Sequence, residues 1–153
     1  MDEVAPEECN TPIGFFNFAD SYWVAARALH GLKLKSTHPD SPTTFLYHQS
    51  IELYLKSFLL LRGVKVADIF GHKIVHLANR TMKLGLSFDD EDLEVFGLLD
   101  SSNSVITARY LHVGFFTRAS IEALDRTCKN IRGLISTEMK ASGIPVRPVR
   151  LTA

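Results

Sequence analysis

Apolar residues recur at helical spacing along most of the chain, and this pattern predicts helices separated by loops rich in proline or glycine. Five helices are expected, over about Phe15–Leu34, Thr44–Gly63, His72–Leu84, Ser87 or Asp89 to Ile106, and Arg118–Ala141. Helices joined by connections this short pack against their neighbours in alternating directions. The sequence therefore predicts an all-α fold, an up-and-down bundle of four to five antiparallel helices.

The first and last predicted helices carry apolar stripes. On the first, the residues at helical spacing are Phe15, Phe18, Tyr22, Ala25, Ala26 and Leu29, with Trp23 alongside. On the last, a narrower seam at alternating three- and four-residue steps consists of Ile121, Leu124, Cys128, Ile131 and Ile135. Such a seam packs along another helix, within the bundle or across a dimer. We expect this seam and the Phe115–Phe116 pair to be covered by a second copy of the chain.

The second helix is apolar around most of its circumference, as a central helix is, yet three ionisable residues recur on it every four positions. These residues are His48, Glu52 and Lys56. One interpretation is structural: Glu52 and Lys56 stand in the favourable i,i+4 order, worth roughly 0.2–0.5 kcal/mol. The other is that the stripe faces a partner or a site. If it is buried, it must be internally paired, because an unpaired buried charge costs several kcal/mol.

Composition bounds the class of protein. A chain of 153 residues with 46% hydrophobic content accommodates one domain. We expect a flexible acidic lead-in over residues 1–12, one helical domain over 13–141 and an irregular basic tail over 142–153. The formal net charge of zero gives no general argument for nucleic acid or membrane. Two lone cysteines and the lack of a long apolar run indicate a cytoplasmic protein without a membrane partner.

The segment TARYLHVGFFT contains the other candidate chemistry, at Arg109, Tyr110 and His112. Metal-free RNA cleavage needs an acid, a base and a cation for the phosphorane, roles that imidazole and guanidinium fill. Arg109 and His112 face the same way if they share one helical turn. Alternatively, Arg109 and Tyr110 hold a phosphate and stack a base without chemistry, or Arg109 anchors Asp100 or Glu52 structurally.

Metal and cofactor sites are not expected. His72 and His76 are four residues apart, but no further residue completes a set of four ligands. No glycine-rich phosphate loop is present. Since His72 follows Gly71 at a predicted helix start, we expect it to cap that helix or to contact the second helix.

Three stretches together resemble the HEPN family of prokaryotic all-helical domains: FLYHQSIELYLKSFLLLRG, then GHKIVHLANRTMKLGL, then ARY. The resemblance implies a small helical bundle that is usually a homodimer. Members include metal-independent ribonucleases, toxins of toxin–antitoxin pairs, partners of nucleotidyltransferases, and non-catalytic RNA- or nucleotide-binding relatives. In the nucleases an Arg is followed, after four to six residues, by a His. Here Arg109 has the matching context, but Gly114, Phe115 and Phe116 occupy the positions of that His.

The function expected from these observations is a dimeric HEPN-like module that binds RNA or a nucleotide and has no catalysis of its own. Its ligand-binding residues would be His48, Glu52, Lys56, His72 and Tyr110. One alternative is a divergent metal-independent ribonuclease that uses Arg109 and His112. A further alternative is a structural partner subunit of a toxin–antitoxin or nucleotidyltransferase pair, with a separately encoded partner protein.

Overall fold

A computed structural model of the chain describes residues 10–69, 71–101 and 118–150. These residues form five α-helices and one short 3₁₀ turn, Val66–Asp68, and contain no strand. The helices are α1 Pro12–Gly31, α2 Asp40–Leu61, α3 Ile74–Lys83, α4 Asp90–Ser101 and α5 Ile121–Ala141. The predicted all-α bundle is confirmed. None of the helices in the described ranges is long and apolar enough to cross a membrane.

Helix α2 is the centre of the bundle and packs against α1, α3 and α5. Its tyrosines Tyr47 and Tyr54 and its Phe58 are fully buried. Phe16 of α1 meets the Tyr54 ring edge-on at 5.3 Å between centroids, and Ser50 donates a hydrogen bond to the Ala19 carbonyl. A helix surrounded on most sides must be apolar on most sides, which is the pattern that the sequence has.

The helix ends follow local chemistry. Thr11 accepts a hydrogen bond from the Gly14 amide and places Pro12 in the first turn, so α1 begins three residues before the predicted start. Helix α2 begins at Asp40 rather than Thr44, because Pro42 lies in the first turn, where a missing N–H costs nothing. Helix α3 begins at Ile74, two residues after the predicted His72, and this leaves His72 in the preceding connection.

Helix α1 packs with a face that overlaps the predicted stripe only in part, at Ala26 and the neighbouring Trp23. Its buried residues are Phe16, Ala19, Trp23 and Ala26. Most of the predicted stripe is half-buried or exposed, namely Phe15, Phe18, Tyr22, Ala25 and Leu29. The helix therefore has two apolar faces, and one of them looks away from the core.

The seam of α5 lies inside the chain. All five of its residues are buried, and α5 packs mainly along α2. The expectation that a second copy covers this seam is therefore wrong, because α2 already fills that role. The irregular segment after α5 folds back over the bundle, where Ile144, Val146 and Val149 pack against the core.

Candidate functional site

Three ionisable side chains from α2 and the connection before α3 converge on the carboxylate of Glu52. Oε1 of Glu52 accepts a hydrogen bond from Nζ of Lys56 at 2.7 Å and another from Nδ1 of His72 at 2.7 Å. Nδ1 of His48 lies 3.8 Å from the other oxygen, Oε2. We call these residues, His48, Glu52, Lys56 and His72, the α2 polar cluster. The i,i+4 spacing predicts the three helical members, whereas His72 joins them through the tertiary fold.

The α2 polar cluster runs from the core to the surface. Glu52 and His48 are 3% and 2% exposed, whereas the side chain of His72 is 71% exposed. Burial lowers the pKa of His48 below its usual 6.5, and the nearby carboxylates of Glu52 and Asp100 oppose this effect only in part. The buried carboxylate is thus paired mainly with Lys56 and His72, as an ion in this environment must be.

Two atoms of the α2 polar cluster remain without a hydrogen-bond partner among the described residues. They are Nδ1 of His48 and Oε2 of Glu52, both fully buried. Most buried polar atoms in folded proteins are paired, so an unpaired one needs an explanation. The free carboxylate oxygen can accept a hydrogen bond from a hydroxyl or an N–H of a ligand. The imidazole nitrogen that faces it can form a second hydrogen bond with the same ligand.

Asp100 explains why His72 reaches the cluster. Its two carboxylate oxygens accept from the amides of Ile74 and Val75 at 2.8 and 2.9 Å. They cap the N-terminus of α3, where backbone N–H groups have no partner within the helix. The cap fixes the helix start, so the preceding residues stay extended and His72 lies against α2. The expected contact of His72 with α2 is confirmed, and the alternative that it caps α3 is wrong.

A second polar constellation, missed from the sequence, surrounds Asp125 of α5. Its Oδ1 accepts from the Trp23 indole N–H and the Tyr47 hydroxyl, both at 2.9 Å, and lies 3.5 Å from Nε of Arg27. A surface groove of about 460 Å³ adjoins it, lined in part by Arg27, His30, Tyr47, Arg126 and Lys129. The partners of Asp125 are far away in sequence, and no local spacing signals them.

The other predicted site residues, Arg109, Tyr110 and His112, lie outside the described residues, as does the Phe115–Phe116 pair. Their predicted roles stay predictions. Within the three described ranges, no group of three or more His, Cys, Asp or Glu side chains is arranged to hold a metal ion.

Comparison with known proteins gives one match. The model of the HEPN domain family matches residues 32–138, well over half of the chain, and begins just after α1. No curated protein and no solved structure matches significantly. The match contains the α2 polar cluster, the connection that carries His72, helices α2 to α4 and most of α5. The chain belongs to the HEPN domain family.

Proposed function

We propose that this chain is a homodimeric HEPN module that binds RNA or a nucleotide, without catalysis of its own, and that the α2 polar cluster recognises the ligand. The observation that carries the proposal is the half-used carboxylate of Glu52. One of its oxygens is fixed by Lys56 and His72, and the other is buried without a partner among the described residues.

The chemistry of a nucleotide complements this arrangement. Ribose hydroxyls and base N–H groups are donors, and Oε2 of Glu52 is an acceptor in a dry environment, where such a bond is strongest. Phosphate needs cations, and Lys56 and the exposed His72 lie on the outer side of the same carboxylate. Tyr110, from the sequence prediction, would supply a ring on which a base stacks.

The charge balance sets a limit on this binding. Lys56 and Glu52 neutralise each other, so the described part of the cluster offers phosphate little net attraction. We therefore expect recognition to depend mainly on hydrogen bonds, with a shallow dependence on salt. Arg109, if it lies nearby, would add the missing cation. A separately encoded partner protein and a cytoplasmic location remain part of the prediction.

Two histidines on the same stretch provide a matched test. His72 and His76 are both exposed, but of these two histidines only His72 is hydrogen-bonded to Glu52. Binding of labelled RNA oligomers and of nucleotides should be measured by fluorescence anisotropy for the wild type, His72→Ala and His76→Ala. We expect His72→Ala to weaken binding roughly tenfold, the value of one charge-assisted hydrogen bond, and His76→Ala to leave it unchanged.

The outcomes separate the interpretations. Because His76 is exposed and does not touch Glu52, His76→Ala should change the free energy of unfolding by no more than about 0.5 kcal/mol. His72→Ala removes one of the two hydrogen bonds to the buried Glu52 carboxylate and should cost about 1–3 kcal/mol, so its binding is compared under conditions where the variant is folded. Absence of binding by the wild type, or equal loss in both variants, would overturn the assignment of the α2 polar cluster to ligand recognition. The structural-subunit alternative would then be favoured.

A second assay addresses catalysis. A mixed RNA panel is incubated with wild type and Arg109→Ala in the presence of EDTA. We expect no cleavage by either protein. Cleavage that persists with the chelator and disappears in Arg109→Ala would instead establish the divergent ribonuclease, with Arg109 as the cation that stabilises the phosphorane.

A further inference from the structure

The outward face of α1 carries a row of apolar residues at alternating three- and four-residue steps. The row consists of Phe15, Phe18, Tyr22, Ala25, Leu29 and, just past the helix end, Leu32. We call it the α1 seam. Phe18 is 48% exposed and Leu32 62% exposed. A seam with this period is the pattern by which one helix packs along another, yet the core-facing residues of α1 form a different row.

The α1 seam is free of charge along its whole length. The charged residues of α1, Asp20 and Arg27, are both engaged with α5: Asp20 with Arg132 at 2.8 Å, and Arg27 with Asp125 at 3.5 Å. They are therefore on the side of α1 that faces α5. The opposite side exposes apolar or small uncharged residues, which is unusual for a helix surface in water.

The apolar face continues onto the neighbouring helix. Leu46, Leu53 and Leu60 recur every seven residues on α2 and are half-buried. Ser50, which bonds to Ala19 of α1, lies between the first two at i+4 and i−3, so this row borders α1. The α1 seam and the α2 row thus form one face of the α1–α2 pair.

We infer that this face is the surface through which two copies of the chain associate, with the two α1 helices antiparallel. The α1 seam alternates between two heptad positions, a (Phe15, Tyr22 and Leu29) and d (Phe18, Ala25 and Leu32). In an antiparallel helix pair, each a residue meets a d residue of the other helix. This register places Tyr22 against Ala25 of the partner subunit and Phe18 against Leu29 of the partner subunit. A large residue then faces a small one at the centre, and no like charges meet, so the face is complementary to itself.

The size of the surface sets the strength of the dimer. A 20-residue helix is about 30 Å long and roughly 10 Å wide, so the α1 seam presents about 300 Å² of flat area. The α2 row enlarges it toward the roughly 800 Å² per partner of a standard interface. The dimer is therefore expected to be of moderate affinity and to depend on protein concentration.

This inference rests on the homodimer of the proposed function and adds which surface forms it. The α1 helix precedes residues 32–138, so the family match covers Leu32 and none of the other residues of the α1 seam. The observation on which it depends is the exposure of the seam, which is independent of the α2 polar cluster.

Sedimentation velocity over a wide concentration range tests the surface. The wild type should approach twice its 17.1 kDa mass. Phe18→Glu places an unpaired charge against the apolar side chain of Leu29 of the partner subunit, and Ala25→Glu brings two like charges close together at the centre of the interface. Each should weaken dimerisation about 100-fold or more. Leu93→Glu is the control, because Leu93 is a comparably exposed apolar residue on α4, 39% exposed. This variant should dimerise like the wild type.

The outcomes distinguish this inference from the proposed function. A wild type that stays monomeric at all concentrations overturns both the dimer and its surface. A wild-type dimer that persists in both glutamate variants overturns the α1 surface alone. If the variants are monomeric but bind RNA as the wild type does, the surface is supported and ligand recognition does not need the dimer.

Cysteine crosslinking tests the antiparallel register, in a Cys9→Ser background where the remaining Cys128 is fully buried. In this register the two copies of residue 25 are offset by about 4–5 Å along the helix axis, whereas those of residue 32 are about 25 Å apart. A short bismaleimide should crosslink Ala25→Cys and not Leu32→Cys. Efficient crosslinking of Leu32→Cys would contradict the antiparallel arrangement.

Discussion

Replacement of Glu52 by methionine should destabilise the protein strongly. The substitution keeps similar volume and removes the acceptor of two hydrogen bonds, from Lys56 and His72, both at 2.7 Å. The side chain of His72 is largely exposed and can hydrogen-bond to water instead, so the loss of its bond to Glu52 costs little. The side chain of Lys56 is only 13% exposed, and its ammonium is left without a counter-charge in a poorly solvated site.

The magnitude follows from these contacts. Breaking a buried ion pair by removing one partner costs roughly 3–5 kcal/mol, and Lys56 recovers part of this by reaching toward solvent. We expect a loss of about 3 kcal/mol for Glu52→Met. The double variant Glu52→Met/Lys56→Met removes both charges and should lie within about 1 kcal/mol of the wild type, because an apolar pair of similar volume replaces an ion pair at little cost.

The assay is urea denaturation, followed by the fluorescence of Trp23, the single tryptophan of the chain. With a slope of about 2 kcal/mol per molar urea, the single variant should shift the midpoint down by about 1.5 M. Completing the cycle with Lys56→Met should give a coupling free energy of at least about 2 kcal/mol. A loss below about 1 kcal/mol in Glu52→Met, or additive single variants, would refute the buried pair.

Two further predictions concern His48 and Asp125. Because burial lowers the pKa of His48 below 6.5, the unfolded state takes up a proton before the folded state does as the pH falls. The free energy of unfolding should therefore be constant with respect to this group above pH 6.5 and decrease below it, by up to about 1.4 kcal/mol per pH unit. His48→Gln should flatten that part of the stability–pH curve, and an unchanged slope would contradict the assignment. Asp125→Leu leaves the buried hydroxyl of Tyr47 and the indole N–H of Trp23 without their acceptor and should cost roughly 2–5 kcal/mol in thermal or urea unfolding. Asp125→Asn keeps an acceptor oxygen and should cost about half as much or less, so equal losses in the two variants would argue against these bonds.

Periodicity predicted the helices and the central place of α2, because a helix surrounded by others must be apolar nearly all round. It failed to orient α1. Phe16 and Trp23 face the core, and Phe18 faces outward, although both rows have helical spacing. Two apolar faces on one helix satisfy the same period, and only the three-dimensional packing decides which one is buried.

The candidate site was predictable to the extent that it is local. The spacing of His48, Glu52 and Lys56 along one helix places them close together. It does not indicate how far their side chains are buried. Their burial, and the contact with His72, depend on α3, whose start is fixed by Asp100 from 26 residues away. Contacts of this kind are set by the arrangement of whole helices, so a sequence pattern of one element does not contain them.

The double variant Glu52→Met/Lys56→Met also separates structure from function in the α2 polar cluster. If the ion pair served stability alone, an apolar pair would do equally well, and the unpaired Oε2 of Glu52 would be a cost without a benefit. Buried polar groups that reduce stability are retained where a site needs them. A double variant that folds as stably as the wild type and no longer binds RNA or nucleotide would therefore assign the cluster to recognition. Retained binding in that variant would reduce it to a helix-packing device and move the ligand to another face of the bundle.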